Sequence, residues 1–287
     1  PLADRMGEAG LDLAPGPRLP LMLPWSHVSK SWIGPLSMGA DAEDFSALDY
    51  WTLAETEPNV IVREGYGAVV AAYGADLPVR LATPVTGIRW GQGQGVTVET
   101  PAGDLAARAC LVTVSTGVLA AGGLRFDPAL PPAKQAAIEG LPMGLLAKIA
   151  LRFDGRRFGL RPNEWLSYAT KDPRLCYFLT WPFDQDLMIG FVGGRFGFEL
   201  SAAGETAAID FALGELRRIF GAEIDQHFVA GRFTPWAQDP QVLGGYAYQR
   251  PGARGARQAL AEPLAERLFF AGEATAGELS MTCGGGP

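Results

Sequence analysis

The stretch Arg267 to Gly285, RLFFAGEATAGELSMTCGG, constrains this chain more than any other. Leu268, Phe269 and Phe270 form a short apolar run that stops at Ala271-Gly272-Glu273, which predicts a buried strand meeting a glycine turn. Glu273 and Thr275 then set a carboxylate and a hydroxyl at the carboxyl end of that strand. In open α/β sheets ligands gather at this end, because loops and helix amino-termini there present unpaired N–H groups. A Glu so placed can accept hydrogen bonds from a ligand's hydroxyls. The alternative is a plain strand followed by a solvated turn.

Composition narrows the classes that such an element can serve. With 287 residues and 48% apolar composition the chain can bury a large core in one big domain or two, which excludes a disordered or fibrous protein. Net charge is −7, and only four of the 24 basic residues are Lys, with no basic run. Nucleic acid and anionic membrane surfaces are therefore not expected as partners. Three cysteines, Cys110, Cys176 and Cys283, lack CxxC spacing and fit a reducing, cytoplasmic compartment. Two histidines, His27 and His227, leave little material for a metal site, and none is expected. No apolar stretch reaches the length of a membrane span and no signal peptide opens the chain. The chain begins on Pro1 rather than Met, as a fragment or processed product would.

Residues 1–58 are rich in Pro and small residues, with Trp25, Trp32 and Trp51 spaced through them. These rings either line an aromatic pocket or anchor irregular chain onto a core. Ser46 caps a short helix predicted over 46–53. Val60 to Gly67 reads as a strand running into a turn, followed by a helix from Ala68 to Tyr73; its Gly-x-Gly lacks the third Gly of a nucleotide fingerprint. Four β-branched runs follow, at 78–81, 84–90, 95–100 and 109–114, separated by Gly, Pro and Asp turns, and predict a meander. A helix beginning with Pro in its first turn is expected over 132–139.

Lys148 is the only charge between Met143 and Leu151. An ammonium costs several kcal/mol to bury unless it is paired or hydrated. Lys148 either snorkels from a sheet edge or has a chemical task. Three strands are predicted at 165–169, 175–181 and 187–193, then an amphipathic helix over 205–220 with Ile209, Leu213, Leu216 and Ile219 on one face. A further strand, 227–234, delivers Trp236, Tyr246 and Tyr248, the two tyrosines at the alternate spacing that shares a face in extended chain.

LFFAGEAT followed by Thr282-Cys283-Gly284-Gly285 resembles the carboxyl-terminal flavin motif of the FAD-dependent amine oxidases, a family of monoamine, polyamine and L-amino-acid oxidases and flavin histone demethylases. The order of the remaining elements is similar to the back two-thirds of that family. By resemblance the fold class is α/β (α+β mixed), with a Rossmann-like FAD/NAD(P)-binding domain, incomplete here, and a mixed-sheet substrate domain. The expected division is 1–58 and 128–236 for the substrate domain and 59–127 and 237–287 for the FAD-binding domain.

The resemblance implies FAD as cofactor, with Gly272, Glu273, Thr275 and Thr282 touching it, Val85 giving backbone contacts to adenine, and Thr113 on the strand that returns to the sheet at Thr113-Val114-Ser115. It places Lys148 where the family keeps a lysine that holds a water at the flavin N5, and Trp236 and Tyr246 where aromatic residues face the flavin. The implied reaction oxidises an amine C–N bond to an imine, with O2 as electron acceptor. Two departures stand out. No G-x-G-x-x-G follows an opening strand, so a missing or separate amino-terminal FAD-binding segment is expected as partner. The end, Gly284-Gly285-Gly286-Pro287, replaces the family's helix. The competing expectation is a flavin-free remnant that serves binding or assembly alone.

Overall fold

The structure is a computed structural model and describes residues 2–54, 60–91 and 95–283. The terminal residues 284–287 and the boundary between 58 and 59 lie outside the described residues.

Thirteen strands run through the described chain. The first five are β1 (Gly87–Arg89), β2 (Val96–Glu99), β3 (Leu105–Ala107), β4 (Cys110–Val112) and β5 (Arg125–Asp127). They are followed by β6 (Met143–Gly144), β7 (Leu146–Phe153), β8 (Trp165–Leu166), β9 (Tyr177–Thr180) and β10 (Leu187–Gly193). The last are β11 (Phe228–Phe233), β12 (Tyr246–Ala247) and β13 (Leu268–Phe270). They form a four-stranded sheet in the order β3-β2-β1-β5, a five-stranded sheet β11-β7-β10-β9-β8, and two pairs, β12-β6 and β13-β4. The β13-β4 pair is parallel, Leu268 opposite Cys110 and Phe270 opposite Val112.

Two cores hold these layers. One lies beneath the five-stranded sheet. Ala147, Ile149, Leu151 and Phe153 alternate inward from β7 and meet Met188 and Val192 of β10 and the helices Gly194–Ala203 and Glu205–Phe220. Each of the larger side chains contributes about 1.5–3 kcal/mol by leaving water. The other core gathers Ile88, Val112, Leu268 and Phe270 with Ala137 and Ile138 of the helix Pro132–Gly140 and Leu141 just after it. Lys134 is buried in that helix and donates to the carbonyls of Ala259, Leu260 and Glu262, so it caps the end of the helix Ala256–Ala261.

The helix 205–220 agrees with its sequence pattern to the residue, and Ser46 caps the helix Ala47–Thr52 by accepting from Leu48 and Asp49 N–H. Two expected strands do not form. Residues 60–64 and 78–81 are irregular and largely exposed, because β-branched composition makes a strand only where a neighbouring strand pairs with it. The antiparallel meander that forms is β1-β2-β3, while the run expected at 109–114 leaves it as β4 and pairs in parallel with β13 instead.

Candidate functional site

The parallel pair β4/β13 brings two loops side by side at its carboxyl end. Thr113 to Thr116 leaves β4, Gly272 to Thr275 leaves β13, and both line one small cleft together with Met143 and Gly245. Four residues singled out in the sequence, Thr113, Gly272, Glu273 and Thr275, thus meet at one place. Gly272 has φ +131, which favours glycine, and the nearest atom to where a Cβ would sit is the Thr113 carbonyl oxygen at 3.9 Å. The backbone can therefore be approached closely at this turn. Thr275 Oγ1 donates to the Gly272 carbonyl at 3.0 Å and tightens the turn. The turns 273–275 and 277–279 are short 3-10 segments.

Glu273 is held from two sides. Its Oε1 accepts from the Ala247 N–H at 2.9 Å and its Oε2 from the Met281 N–H at 3.1 Å. Burial pushes its carboxyl above the usual range, against the lowering effect of those N–H groups and Arg257. A carboxylate has about four lone-pair directions, so two remain for a ligand hydroxyl. Through Ala247 this carboxylate joins β12, where Tyr246 stands opposite Gly144. The Tyr246 hydroxyl donates to the Ser37 carbonyl at 3.3 Å, and burial drives its pKa well above that of a free tyrosine.

Thr282 borders a different cleft of ≈ 490 Å³, shared with Ser37, Tyr50, Trp51 and Ser280. The Ser280 hydroxyl is buried there with no hydrogen-bond partner among the described residues. Lys148 stands, partly buried, on the face of the five-stranded sheet opposite the helices Gly194–Ala203 and Glu205–Phe220. Its backbone is tied to Thr234, and its Nζ lies 5.9 Å above the Phe191 ring and donates to the Leu146 carbonyl at 3.1 Å. Burial lowers its pKa, opposed by Cys283 nearby. Trp236 is 46% exposed, and Val85, 40% exposed, lies on the irregular chain just before β1. Neither of the two clefts is lined by Val85, Lys148, Trp236 or Tyr246.

Sequence reasoning missed two features near these residues, besides the buried Lys134. One is the buried pair Asp49 and Arg257, whose partners sit in separate segments with no local pattern. The other is an aromatic wall of Trp32, Trp165, Tyr177 and Phe191 beside Lys148. For the wall, alternation in the strand sequences was the available signal. Among the described residues no group of three His, Cys, Asp or Glu could hold a metal ion, and no helix is long and apolar enough to cross a membrane.

Residues 30–285 match the profile of the flavin-containing amine oxidoreductases, and the chain belongs to that family. Polyamine oxidase 4 of Oryza sativa subsp. japonica is 32% identical over 250 residues, covering 84% of this chain and 50% of the relative. Lysine-specific histone demethylase 1 homolog 3 of Arabidopsis thaliana is 30% identical over 243 residues, 79% of this chain and 15% of the relative. The chain thus spans half or less of the length of these relatives. Among solved structures, cyclohexylamine oxidase from Brevibacterium oxydans IH-35A superposes with TM-score 0.70 at 20% identity, over 99% of this chain and 69% of that one. Putrescine oxidase bound to putrescine gives 0.71 at 19%, over 91% and 61%. The fold is that of the flavin-binding amine oxidases, and FAD is the cofactor of the family.

The residues present fit part of such a cofactor. The side-chain-free approach at Gly272, the two spare lone-pair directions of Glu273 and the unpartnered Ser280 hydroxyl are features that a polar ligand would use. The cleft at β4/β13 measures ≈ 150 Å³, well below the ~300–1,000 Å³ of a whole small-molecule site, so it takes only a portion of a dinucleotide.

Proposed function

We propose that the chain works as an FAD-dependent amine oxidase, converting an amine and O2 to an imine and hydrogen peroxide. The observation that carries this reading is the meeting of Thr113, Gly272, Glu273 and Thr275 in one cleft at the carboxyl ends of parallel strands. Those residues would hold the cofactor, with Val85 and Thr282 at its periphery. Bound FAD would supply the two-electron acceptor for oxidation of the C–N bond. Lys148 provides a fixed positive charge that stabilises negative charge developing on O2 as it is reduced, an effect that a largely dry site magnifies. Tyr246 and Trp236 orient the amine by ring contacts, Tyr246 being fixed by its hydrogen bond to Ser37.

The division into 59–127 with 237–287 for cofactor and 1–58 with 128–236 for substrate goes with this reading. The core under the five-stranded sheet, drawn from 145–233, goes with it, whereas the core around β4/β13 also takes in the helix Pro132–Gly140 from the substrate part. Three free cysteines favour a reducing, cytoplasmic setting.

A separate or preceding amino-terminal FAD-binding segment is part of the proposal. The helix Tyr66–Tyr73 is apolar around its whole circumference yet buries none of its residues, and Leu111 of β4 is 59% exposed. Apolar helices of this kind are covered in a finished protein. The test is purification of the chain with and without such a segment in the presence of FAD. Visible flavin absorbance that survives gel filtration, and amine-dependent peroxide release, are expected with the segment present. A colourless protein in both cases overturns the reading and leaves the flavin-free binding module.

A further inference from the structure

The face of the five-stranded sheet opposite the helices Gly194–Ala203 and Glu205–Phe220, partly covered by residues 26–36, has a composition that selects a ligand. Cross-strand pairing puts Tyr177, Phe191 and Lys148 in one row and Leu179, Ile189 and Ala150 in the next, with Trp165 opposite Leu179. Opposed residues share a face, so these side chains stand together while their neighbours along each strand point into the core. Trp32 closes over the first row from the turn 32–36, its ring 5.5 Å from Tyr177 and 5.9 Å from Trp165. Trp165 lies 5.1 Å from Phe191, and Phe191 lies under the Lys148 ammonium. An unbroken aromatic wall therefore runs from Trp32 to the lysine, yet Trp32 and Trp165 remain 43% and 51% exposed.

Charge decides what such a wall accepts. Neither row contains a carboxylate. The acidic side chains on neighbouring segments are already engaged: Glu43 by Lys30, Asp41 and Asp44 by Arg195, and Glu164 by Arg161. Trp32 also borders a cavity of ≈ 660 Å³ whose other walls are largely apolar, among them Leu19, Leu23, Val28 and Ile33, and whose charged members are Arg5 and Lys30, the latter already paired with Glu43. A polyamine or a lysine-rich peptide brings further ammonium groups that would meet like charge and no partner. Leaving an ammonium unpaired against apolar surface is costly, and mismatched charge is how sites reject ligands. An amine with one nitrogen and an apolar body meets no such penalty and gains ring contacts.

Resting on the amine-oxidase reading above, we propose that the substrate class of this chain is the apolar monoamine, a single reactive nitrogen on a cyclic, aryl or alkyl body seated along Trp32, Trp165 and Phe191. The test is calorimetric titration of the complete FAD-loaded protein with benzylamine, cyclohexylamine, putrescine and spermidine, with peroxide release measured in parallel. The two ring amines are expected to bind at least about tenfold tighter than putrescine or spermidine. Trp165→Ala, at the exposed rim, should weaken benzylamine by roughly tenfold and leave spermidine unchanged. Ile189→Asp, which puts a carboxylate into the second row, should narrow the ratio; if it fails to fold by circular dichroism, Trp165→Ala decides. Spermidine binding as tightly as benzylamine, or benzylamine indifferent to Trp165→Ala, overturns the inference. When spermidine is then the amine oxidised, the oxidase reading stands alone; binding of none of the four amines overturns both.

Discussion

Arg257 and Asp49, 208 residues apart in sequence, form a two-point ion pair enclosed in the protein, Nε to Oδ1 at 2.8 Å and Nη2 to Oδ2 at 2.9 Å. Their side chains are only 6% and 3% exposed. The same guanidinium donates to the carbonyls of Ala274 and Ala247, while Asp49 Oδ2 accepts from the Gln249 N–H. One arginine thus binds the helix 47–52, strand β12 and the turn after β13 into a unit, and that unit also carries Glu273 on the Ala247 N–H. The geometry suits Arg alone, because only a planar fork can serve a carboxylate and two carbonyls at once.

Arg257→Met is therefore expected to lower the unfolding free energy by about 3–5 kcal/mol, since it strands a buried carboxylate. Adding Asp49→Asn should recover part of the loss by removing the stranded charge, so the two changes combine less than additively. Urea unfolding of the single and double variants measures this. A loss under about 1 kcal/mol for Arg257→Met would mean that water reaches Asp49 and the enclosure is not real.

Glu273 makes a prediction about pH. Its folded pKa is raised, first by burial, so the fold holds its proton more tightly than the unfolded chain does. The contribution of such a group is fully present below the unfolded value near 4.5 and is lost as pH rises through the folded value. Glu273→Gln has no titration there. It pays a fixed cost, because an amide cannot accept from both the Ala247 and the Met281 N–H. The stability difference between variant and wild type should then move in the variant's favour as pH climbs from below 4.5 towards 7, while the fixed cost stays constant. Parallel urea titrations across that range decide it, and a difference flat with pH would contradict the raised carboxyl.

Local elements were legible where their cause is local. The helix 205–220 shows its apolar stripe at 3-to-4 spacing, so it follows from side-chain period alone, whereas the run around Lys148 shows only apolar composition and its inward alternation emerges with the sheet. The strands expected at 60–64 and 78–81 fail for the converse reason: Val60, Ile61, Val79 and Leu81 have the right side chains and no partner strand. The Gly272-Glu273 turn was readable because glycine and a carboxylate after an apolar run carry a mechanism. The Asp49–Arg257 pair was not, because a contact across 208 residues leaves each end looking like an ordinary surface charge. Lys134 was overlooked in the same way. In an Ala-rich helix a lysine looks solvated, yet it is 2% exposed and spends its donors on three carbonyls supplied from 259–262.

Lys148 is singled out by its sequence pattern and by the family resemblance, and Lys148→Met tests the role proposed for it. Methionine keeps most of the side-chain length over Phe191 and deletes the charge, so stability should change by no more than about 1–2 kcal/mol. The direction of any change follows from the lowered pKa. Below the folded value both states are protonated and burial imposes a constant penalty. As pH rises from there towards the unfolded 10.5, the fold sheds its proton first, the penalty is relieved and wild-type stability rises relative to the variant. In the FAD-loaded, complete protein the variant should leave reduction by amine nearly intact and slow reoxidation by O2 about 10²- to 10³-fold, the loss typical of one electrostatic stabiliser in a dry site. Stopped-flow measurement of the two half-reactions separates these effects. An unchanged oxidative half-reaction would reduce Lys148 to a strand residue whose ammonium rests on Phe191 and the Leu146 carbonyl, with no part in the chemistry.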